Sequence, residues 1–549
     1  MKSNLIVFIS LILISIPAIK DLFISGGFTS HDLTHHVIRQ ISMDKLLSEG
    51  QFPPRWSGEL NNGYGYPVFL FNYPLPAMVG EISHKMGLGY VDSVKAVLFA
   101  SMIGSVLGMY LFLNALLGSK PSAFLGAIFY LYAPLRFLTV YVSSAVGSAL
   151  ALGILPFVFW SLVEISKGKK WASLVGGVSL AGLILAHNVT ALIFAPVILA
   201  SAWGIGGIRK IRGIGMMFFL GLGLSAWFWL PALFEAQYTR FGEVFGKFYQ
   251  DQFPSLWQLI RSPWGYGLSH PQNPESGDMS YQLGLIHIGV MLILVGLVWV
   301  MKRIREIREI GGFALALFGL SVFLMLKISL PLWENIPFLS MVQFPLRFQA
   351  WSVFAASIAA ALLVKYLPFK KLLVLSLLFL VIYANRNHWH INEVFAPGEN
   401  YYLNLKTTST SYGEHLPKWG KIMDQPAVGK LEFIKGQGDI GIIMNKSDEI
   451  VAEVAVDSGG KLRLNQTYFP GWNIEIDGQK TNFDYLSNPD LIGTDGESYG
   501  LMTFDIEEGI HLVRAQFKNT PVRNLADGIS LISVIVFLYA GYNKRFYKK

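Results

Sequence analysis

Apolar stretches of roughly the 20 residues that cross a bilayer as a helix recur along the whole of this 549-residue chain. The first continues to about residue 24 without a clear cleavage motif, so we expect an uncleaved anchor rather than a signal peptide. Two others, 121–134 and 371–385, are short for a span. In all, the pattern predicts about twelve spans, near 4–24, 93–117, 121–134, 145–165, 171–187, 189–207, 213–233, 282–301, 311–329, 347–364, 371–385 and 525–542.

The polar links between these stretches alternate in charge and length. If Lys2 lies inside, every dense basic cluster also falls inside, as the positive-inside rule requires; the clusters lie around residues 120, 167–170, 209–212, 302–308, 365–371 and 544–549. Both termini are then cytoplasmic. The long connections 25–92, 234–281, 330–346 and 386–524 are then extracytoplasmic, so we expect the functional site on that side of the membrane.

The pattern changes from helical spans to alternating apolar and polar positions in 386–524. The turn signals Ser458-Gly459-Gly460 and Asp477-Gly478 separate these β-rich runs, as expected for antiparallel strands. We therefore predict a polytopic α-helical membrane protein with a C-terminal extracytoplasmic β-sandwich-like domain. Its parts are a transmembrane body (1–385), the β-rich domain (386–524), and a final helix with a basic cytoplasmic tail (525–549).

Composition agrees with a membrane protein and excludes several other classes. Hydrophobic residues make up 52% of the chain and charged residues only 15%, values typical of polytopic proteins rather than soluble ones. The net charge of +8 falls in the short links, so it does not indicate nucleic-acid binding. With no cysteine, the chain has no disulfide, thiolate metal site or cysteine nucleophile.

The first long loop carries the densest candidate chemistry, SHDLTHH, with His31, Asp32, His35 and His36 just after the first span. Asp32 is a candidate general base for an acceptor hydroxyl or a ligand of a divalent cation that neutralises a leaving phosphate. Alternatively, Ser30 or Asp32 caps the following helix. Asp32, His35 and His36 share one helical face, so a metal at Asp32 and His35 is possible, although ordinary loop histidines are the commoner case.

Other candidates lie in or near the later loops. Glu235 follows the seventh span and could face Asp32 as a second carboxylate, or could be an interfacial residue. His187 lies at a break between two apolar runs, where an ionisable group indicates function or a helix-linking turn. Arginines at the outer interface suit phosphate oxygens or lipid headgroups, and these are Arg136, Arg240, Arg261 and Arg347. Asp251, His270 and Asp278 are weaker candidates in the same loop as Arg261.

Several segments together resemble a known family: SHDLTHH, GYGYP, LAHNVTAL, WLPALFE and QFPLRF. The chain resembles the GT-C glycosyltransferase superfamily and, more closely, the bacterial YfhO-like membrane proteins. The resemblance implies sugar transfer from a polyprenyl-phosphate-linked donor to a glycan, lipid or protein acceptor on the outer face of a bacterial cell membrane. It implies Asp32 as base or as ligand of Mg²⁺ or Mn²⁺, and Glu235 as the later acidic residue.

Two departures from the family pattern bear on this expectation. The first loop has no D-x-D pair, and YVSSAVGSALA (141–151) has serines where many relatives carry an arginine and a glutamate. Two other functions therefore stay open: a transporter or flippase of lipid-linked sugars, and a non-catalytic cell-envelope scaffold. A groove ending at Asp32 would favour the enzyme, a through-cavity the transporter, and a surface without a pocket near Asp32 the scaffold.

Overall fold

The structure is a computed structural model that describes residues 2–206, 210–486 and 499–542. The predicted basic tail and Arg209 lie outside the described residues. The helices of the first half are α1 Lys2–Ile19, α2 Leu33–Ser48, α3 Val68–Phe71, α4 Leu75–Lys85, α5 Tyr90–Leu117, α6 Lys120–Leu131, α7 Pro134–Phe137, α8 Val146–Ser166, α9 Trp171–Ala186, α10 Asn188–Ser201, α11 Ile211–Leu224 and α12 Ala226–Glu235. The others are α13 Phe241–Phe245, α14 Leu256–Ile260, α15 Leu285–Val300, α16 Gly312–Met325, α17 Leu330–Asn335, α18 Pro337–Ser340, α19 Gln349–Tyr366, α20 Lys370–Ala384, α21 Glu399–Asn404 and α22 Pro521–Tyr542.

Six helices of the described residues are long and apolar enough to cross a membrane, or up to eight if each of two bent pairs is one span. The chain is thus a polytopic helical membrane protein, as predicted, but the count of twelve spans is not confirmed. Several of the predicted spans are broken or short. The helical segments Lys120–Leu131 and Pro134–Val142 are bent by 48° relative to each other. The bend lies where Ala133 is extended, because the helical region is disfavoured for a residue that precedes a proline.

Helix α19 lies at the centre of the helical body. Every residue from Gln349 to Val364 is buried, which explains why its sequence is apolar all round rather than amphipathic. Small side chains let neighbouring helices approach its backbone closely, and five of its alanines are fully buried: Ala355, Ala356, Ala359, Ala360 and Ala361.

The β-rich region forms two antiparallel sheets. Its strands are β3 Leu431–Lys435, β4 Gly438–Asn445, β5 Glu449–Val456, β6 Gly460–Thr467, β7 Trp472–Ile476, β8 Gln479–Thr481, β9 Leu501–Ile506 and β10 Gly509–Phe517, while β1 Gly27–Phe28 and β2 Val394–Phe395 form a separate pair. The sheet orders are β4-β5-β10-β7-β8 and β3-β6-β9. Residues of both sheets share one core, as in a β-sandwich. The predicted Asp477-Gly478 turn joins β7 to β8, with both residues at positive φ.

The long connections contact one another and the β sheets at one end of the helical body. Strand β1 of the first loop pairs with β2, which lies beyond α20. Trp56 of the first loop is fully buried in the core of the β-rich region, where its Nε1 donates to Gln466 Oε1 at 3.0 Å. We call this end, made of residues 25–92, 234–281, 330–347, 386–486 and 499–520, the loop assembly.

Basic links meet at the other end of α5. Lys365 Nζ donates to the carbonyl oxygen of Leu117, the last residue of α5, and pairs with Glu306. Lys167 Nζ donates to the carbonyl oxygen of Ala115. The long loops and the basic links thus lie at opposite ends of α5. The positive-inside rule assumes such a separation of basic links from long loops. Which end faces the cytoplasm stays a prediction.

Candidate functional site

A cavity of about 530 Å³ opens between the loop assembly and the helical body. Its walls come from the first loop, the α7–α8 connection, the start of α10, the 234–281 and 330–346 loops, the first turn of α19 and residues 410–415. Polar side chains share these walls with apolar side chains of the helices, including Leu135, Leu152 and Leu346. A cavity of this size is within the usual range for a small-molecule site.

Asp32 lies in this cavity wall with its carboxylate uncommitted to the helix. It is the residue before α2, but its side chain makes no capping hydrogen bond. Ser30 Oγ accepts from the Leu33 N–H instead, at 3.3 Å, so the capping prediction holds for Ser30 and is wrong for Asp32. The backbone N–H of Asp32 donates to the Ser143 carbonyl oxygen at 3.0 Å. The backbone of the serine segment 141–151 therefore contacts the backbone of Asp32.

Two guanidinium groups line the same cavity. Arg347 donates from Nη1 to the Val342 carbonyl oxygen at 2.8 Å and lies 5.2 Å from the centre of the Phe344 ring. Arg39 donates from Nη2 to the Ser409 carbonyl oxygen at 2.6 Å, and its buried Nε has no partner among the described residues. Sequence reasoning missed Arg39, although a position seven residues after Asp32 falls on the same helical face.

The histidines of the first loop separate into different environments. His31 Nε2 lies 2.9 Å from the Gly267 carbonyl oxygen, a contact that ties the first loop to the 234–281 loop. His35 lines the cavity, whereas His36 is buried outside it, 6.4 Å from the Tyr73 ring. Burial, reinforced by the positive charge of Arg39, lowers the pKa of both His35 and His36, which favours the neutral imidazole in both.

His187 also lines the cavity and caps α10. Its Nδ1 accepts from the backbone N–H of Thr190 at 3.1 Å, which leaves the ring proton of the neutral form on Nε2. Ser148 Oγ lies 3.3 Å from that Nε2 and accepts the proton. The break at LAHNVTAL is thus a helix-linking turn, as one of the two alternatives predicted, and it directs the imidazole edge into the cavity.

Residues 410–415 supply two further polar groups that sequence reasoning missed, Glu414 and His415. Glu414 Oε2 is buried without a hydrogen-bond partner among the described residues. Burial lowers the pKa of His415 to about 4, so this ring is neutral as well. No local sequence signal identifies these residues, because only the return of the chain from α20 brings them to Asp32.

Besides His36, the predicted catalytic residue Glu235 and the predicted phosphate-binding residues Arg136 and Arg240 do not line the cavity. Glu235 is buried and bonded to Arg523 and Thr520, with Arg523 Nη2 at 2.9 Å and Thr520 Oγ1 at 2.7 Å. Arg136 is fully buried in the helical body, and its nearest acceptor, at 3.3 Å, is the Ser101 carbonyl oxygen. Arg240 is partly exposed and faces Glu243 at 3.5 Å. The expected geometry, with Glu235 opposite Asp32, is therefore absent.

A metal at Asp32 and His35 stays a prediction. Among the described residues, one group of three or more His, Asp or Glu side chains brings its ligand atoms within 4.8 Å of one another, and it consists of His270, Glu275 and Asp278. Asp32 and His35 do not belong to such a group. The group includes two of the weaker sequence candidates and reaches the cavity through His270. No specific metal is established by these contacts.

The comparisons with known proteins give partial overlaps. No protein-family model matches the chain. A protein of Lactococcus lactis subsp. cremoris (strain MG1363), described only as an uncharacterized protein, is 22% identical over 284 residues, 47% of this chain and 46% of its own length. The chain therefore spans about half the length of this curated relative.

Similar solved structures include ArnT from Cupriavidus metallidurans bound to undecaprenyl phosphate, at 14% identity and a TM-score of 0.38, over 67% of this chain and 61% of that one. The apo oligosaccharyltransferase of Archaeoglobus fulgidus overlaps at 13% identity and a TM-score of 0.40, over 75% and 61%. The archaeal oligosaccharyltransferase AglB from the same organism, with an inhibitory peptide and a dolichol-phosphate, overlaps at 12% and 0.37, over 75% and 60%. Overlaps of this extent do not assign an activity.

Proposed function

We propose that this chain transfers a sugar from a polyprenyl-phosphate-linked donor to an acceptor hydroxyl on the extracytoplasmic face of the membrane. The observation that carries the proposal is one cavity lined by the carboxylate of Asp32, which makes no helix-capping hydrogen bond, and by the guanidinium groups of Arg39 and Arg347. A base for the acceptor and cations for a leaving phosphate are the groups that such a transfer needs. The apolar lining from the helices suits a lipid-linked substrate.

In the proposed reaction, the acceptor oxygen attacks the anomeric carbon of the donor sugar. The bond from that carbon to the phosphate oxygen breaks, and polyprenyl phosphate leaves with the bonding electron pair. Asp32 takes the proton of the acceptor hydroxyl, while Arg347 and Arg39 stabilise the negative charge that develops on the phosphate. His187, whose ring nitrogens contact Thr190 and Ser148, holds the Ser148 hydroxyl at the cavity wall. Glu235, Arg136 and Arg240, which lie outside the cavity, take no part in this scheme.

The test is transfer by purified protein from polyprenyl phosphates carrying single radiolabelled sugars, together with glycan profiling of a deletion strain. Asp32→Asn should lower the rate by at least about 100-fold, the scale of a general-base contribution, with protein levels unchanged. Arg347→Met should act similarly. Arg240→Met is the matched control, because it removes an arginine of the same loop assembly that does not line the cavity, and it should leave the rate unchanged.

The same assay separates the two other hypotheses. A flippase would move the intact lipid-linked sugar across vesicles without releasing polyprenyl phosphate. If the protein is a scaffold, deleting it should change the glycan profile of the strain, and the Asp32→Asn variant should restore that profile fully. Full transfer activity in Asp32→Asn would remove this carboxylate as the base and contradict the proposal.

A further inference from the structure

One carboxylate oxygen in the cavity is buried without a hydrogen-bond donor. Glu414 lines the cavity, and its Oε2 is shielded from solvent without a donor among the described residues. A buried acceptor without a donor costs free energy, so a carboxylate held this way indicates a donor supplied from outside the chain. Glu414 has no role in the proposed transfer reaction.

Glu414 is held in place from several sides. The turn that precedes it uses Gly413 at φ +60°, where an added Cβ would lie 2.9 Å from Ile422 Cγ1. Tyr66 of the first loop accepts the His415 N–H at its hydroxyl, at 3.0 Å. The backbone N–H of Arg240 donates to the Leu416 carbonyl oxygen at 3.0 Å. The position of Glu414 is therefore built into the fold before a ligand arrives.

A continuous aromatic wall runs from the segment of Glu414 to Arg347. Neighbouring ring centroids along it lie 5.2 to 6.0 Å apart. Phe344, at one end, packs under the Arg347 guanidinium, and His415, near the other, is adjacent to Glu414 in sequence. The wall consists, in spatial order, of Phe71, His415, Phe241, Phe245, Phe248 and Phe344, all of which line the cavity.

A carboxylate acceptor, an aromatic surface and a cation along one cavity wall match a glycosyl phosphate group by group. Sugar hydroxyls donate hydrogen bonds, the C–H faces of a pyranose ring are apolar, and the phosphate is anionic. Phosphate alone would leave Glu414 without a donor and would be repelled by it. An apolar chain alone would leave Glu414 Oε2 against hydrocarbon without a donor, which is unfavourable.

We propose that Glu414 and the aromatic wall form the sugar subsite of the lipid-linked donor. Glu414 accepts hydrogen bonds from the sugar hydroxyls, the wall packs against the ring face, and the phosphate lies at Arg347. This inference rests on the proposed function and goes further, because it assigns the donor sugar to a subsite and fixes its class. The sugar is a neutral or amino monosaccharide, since a uronic acid would bring a second negative charge to Glu414.

The experiment measures binding to the full-length protein in nanodiscs. The probes are undecaprenyl phosphate alone and undecaprenyl phosphate carrying glucose, mannose, arabinose, 4-amino-4-deoxyarabinose or glucuronic acid. For at least one neutral or amino sugar, the wild type should bind the glycosylated lipid about 10-fold or more tighter than the bare lipid, the scale of a hydrogen bond to a charged group. Glucuronate should give no such gain.

Glu414→Gln should abolish most of the gain from the sugar while binding the bare lipid as the wild type does, which also shows that the variant is folded. Phe241→Leu should lower the gain in part. Glu243→Gln is the matched control, because Glu243 is exposed, lies on the same short helix as Phe241 and does not line the cavity; it should leave both affinities unchanged.

Three results would overturn the inference, and the last is distinguishable from the first two. If the wild type binds the bare lipid but gains nothing from any sugar, or if Glu414→Gln keeps the gain, the sugar subsite is wrong and the phosphate site stands. If the wild type binds neither bare nor glycosylated lipid, the proposed function fails and the subsite fails with it.

Discussion

Replacing Glu235 by alanine should destabilise the protein strongly, because it breaks a buried ion pair between two helices. Glu235 ends α12 and Arg523 lies in the first turn of α22, and their side chains are 5% and 0% exposed. The carboxylate accepts three hydrogen bonds, from Arg523 Nε at 3.0 Å, Arg523 Nη2 at 2.9 Å and Thr520 Oγ1 at 2.7 Å. Glu235→Ala removes all three acceptor contacts at once.

The loss in the free energy of unfolding depends on which contacts Arg523 retains in the variant. Removing one partner of a buried pair costs about 3–5 kcal/mol, because the remaining charge stays buried without compensation. Arg523 would retain the carbonyl oxygens of Pro470 at 2.8 Å and Lys518 at 3.3 Å, and a cation–π contact with the Phe517 ring at 4.6 Å. We therefore expect the lower end, about 3 kcal/mol. Removing both charges in Glu235→Ala/Arg523→Met should recover much of this loss.

The assay is equilibrium unfolding in mixed detergent micelles, followed by tryptophan fluorescence, with sugar transfer measured below the unfolding range. Glu309→Ala is the control, because Glu309 forms an exposed pair with Arg305 worth roughly 0.2–0.5 kcal/mol. Glu235→Ala should lose stability and keep its transfer rate. A free energy of unfolding within about 0.5 kcal/mol of the wild type would refute the ion-pair reasoning, and loss of transfer at full stability would make Glu235 catalytic.

Two further predictions concern pH and helix packing. Burial lowers the pKa of His415 from 6.5 to about 4, so between these pH values the unfolded chain binds a proton that the folded chain does not. The free energy of unfolding should therefore fall as the pH drops from about 6.5 towards 4. A His415→Gln variant whose thermal melts keep the full acid sensitivity would contradict this. Gly153→Ala should destabilise the contact of α8 with α5 by about 1–3 kcal/mol, since its Cβ would lie 2.8 Å from the Ser101 carbonyl oxygen. Gly104→Ala, whose Cβ would lie 3.8 Å from the nearest atom of α8, should be neutral or stabilising, and equal thermal melts for the two variants would disprove the packing argument.

The sequence by itself determined the class of protein and singled out Asp32, which lines the cavity of the candidate site. Apolar stretches of membrane length and alternating strands near Asp-Gly turns follow from solvent and local geometry alone, so the helical body and the β-rich region were predicted. Asp32 was found because it follows a span directly, and its role as base stays a prediction. The helical face of α2 also contains the signal for Arg39, seven residues after Asp32.

Only the tertiary structure decided which side chains share the cavity. Glu235 and Arg136 have the residue types of a site, yet one pairs with Arg523 and the other donates to backbone carbonyls within the helical body. Glu414 and His415 lie more than 370 residues after Asp32 in the chain, and they reach its cavity because the chain returns from α20 across the loop assembly. Contacts between distant segments depend on how complete helices and sheets pack. Local pattern carries no information about that packing, so the second half of the site could not be derived from it.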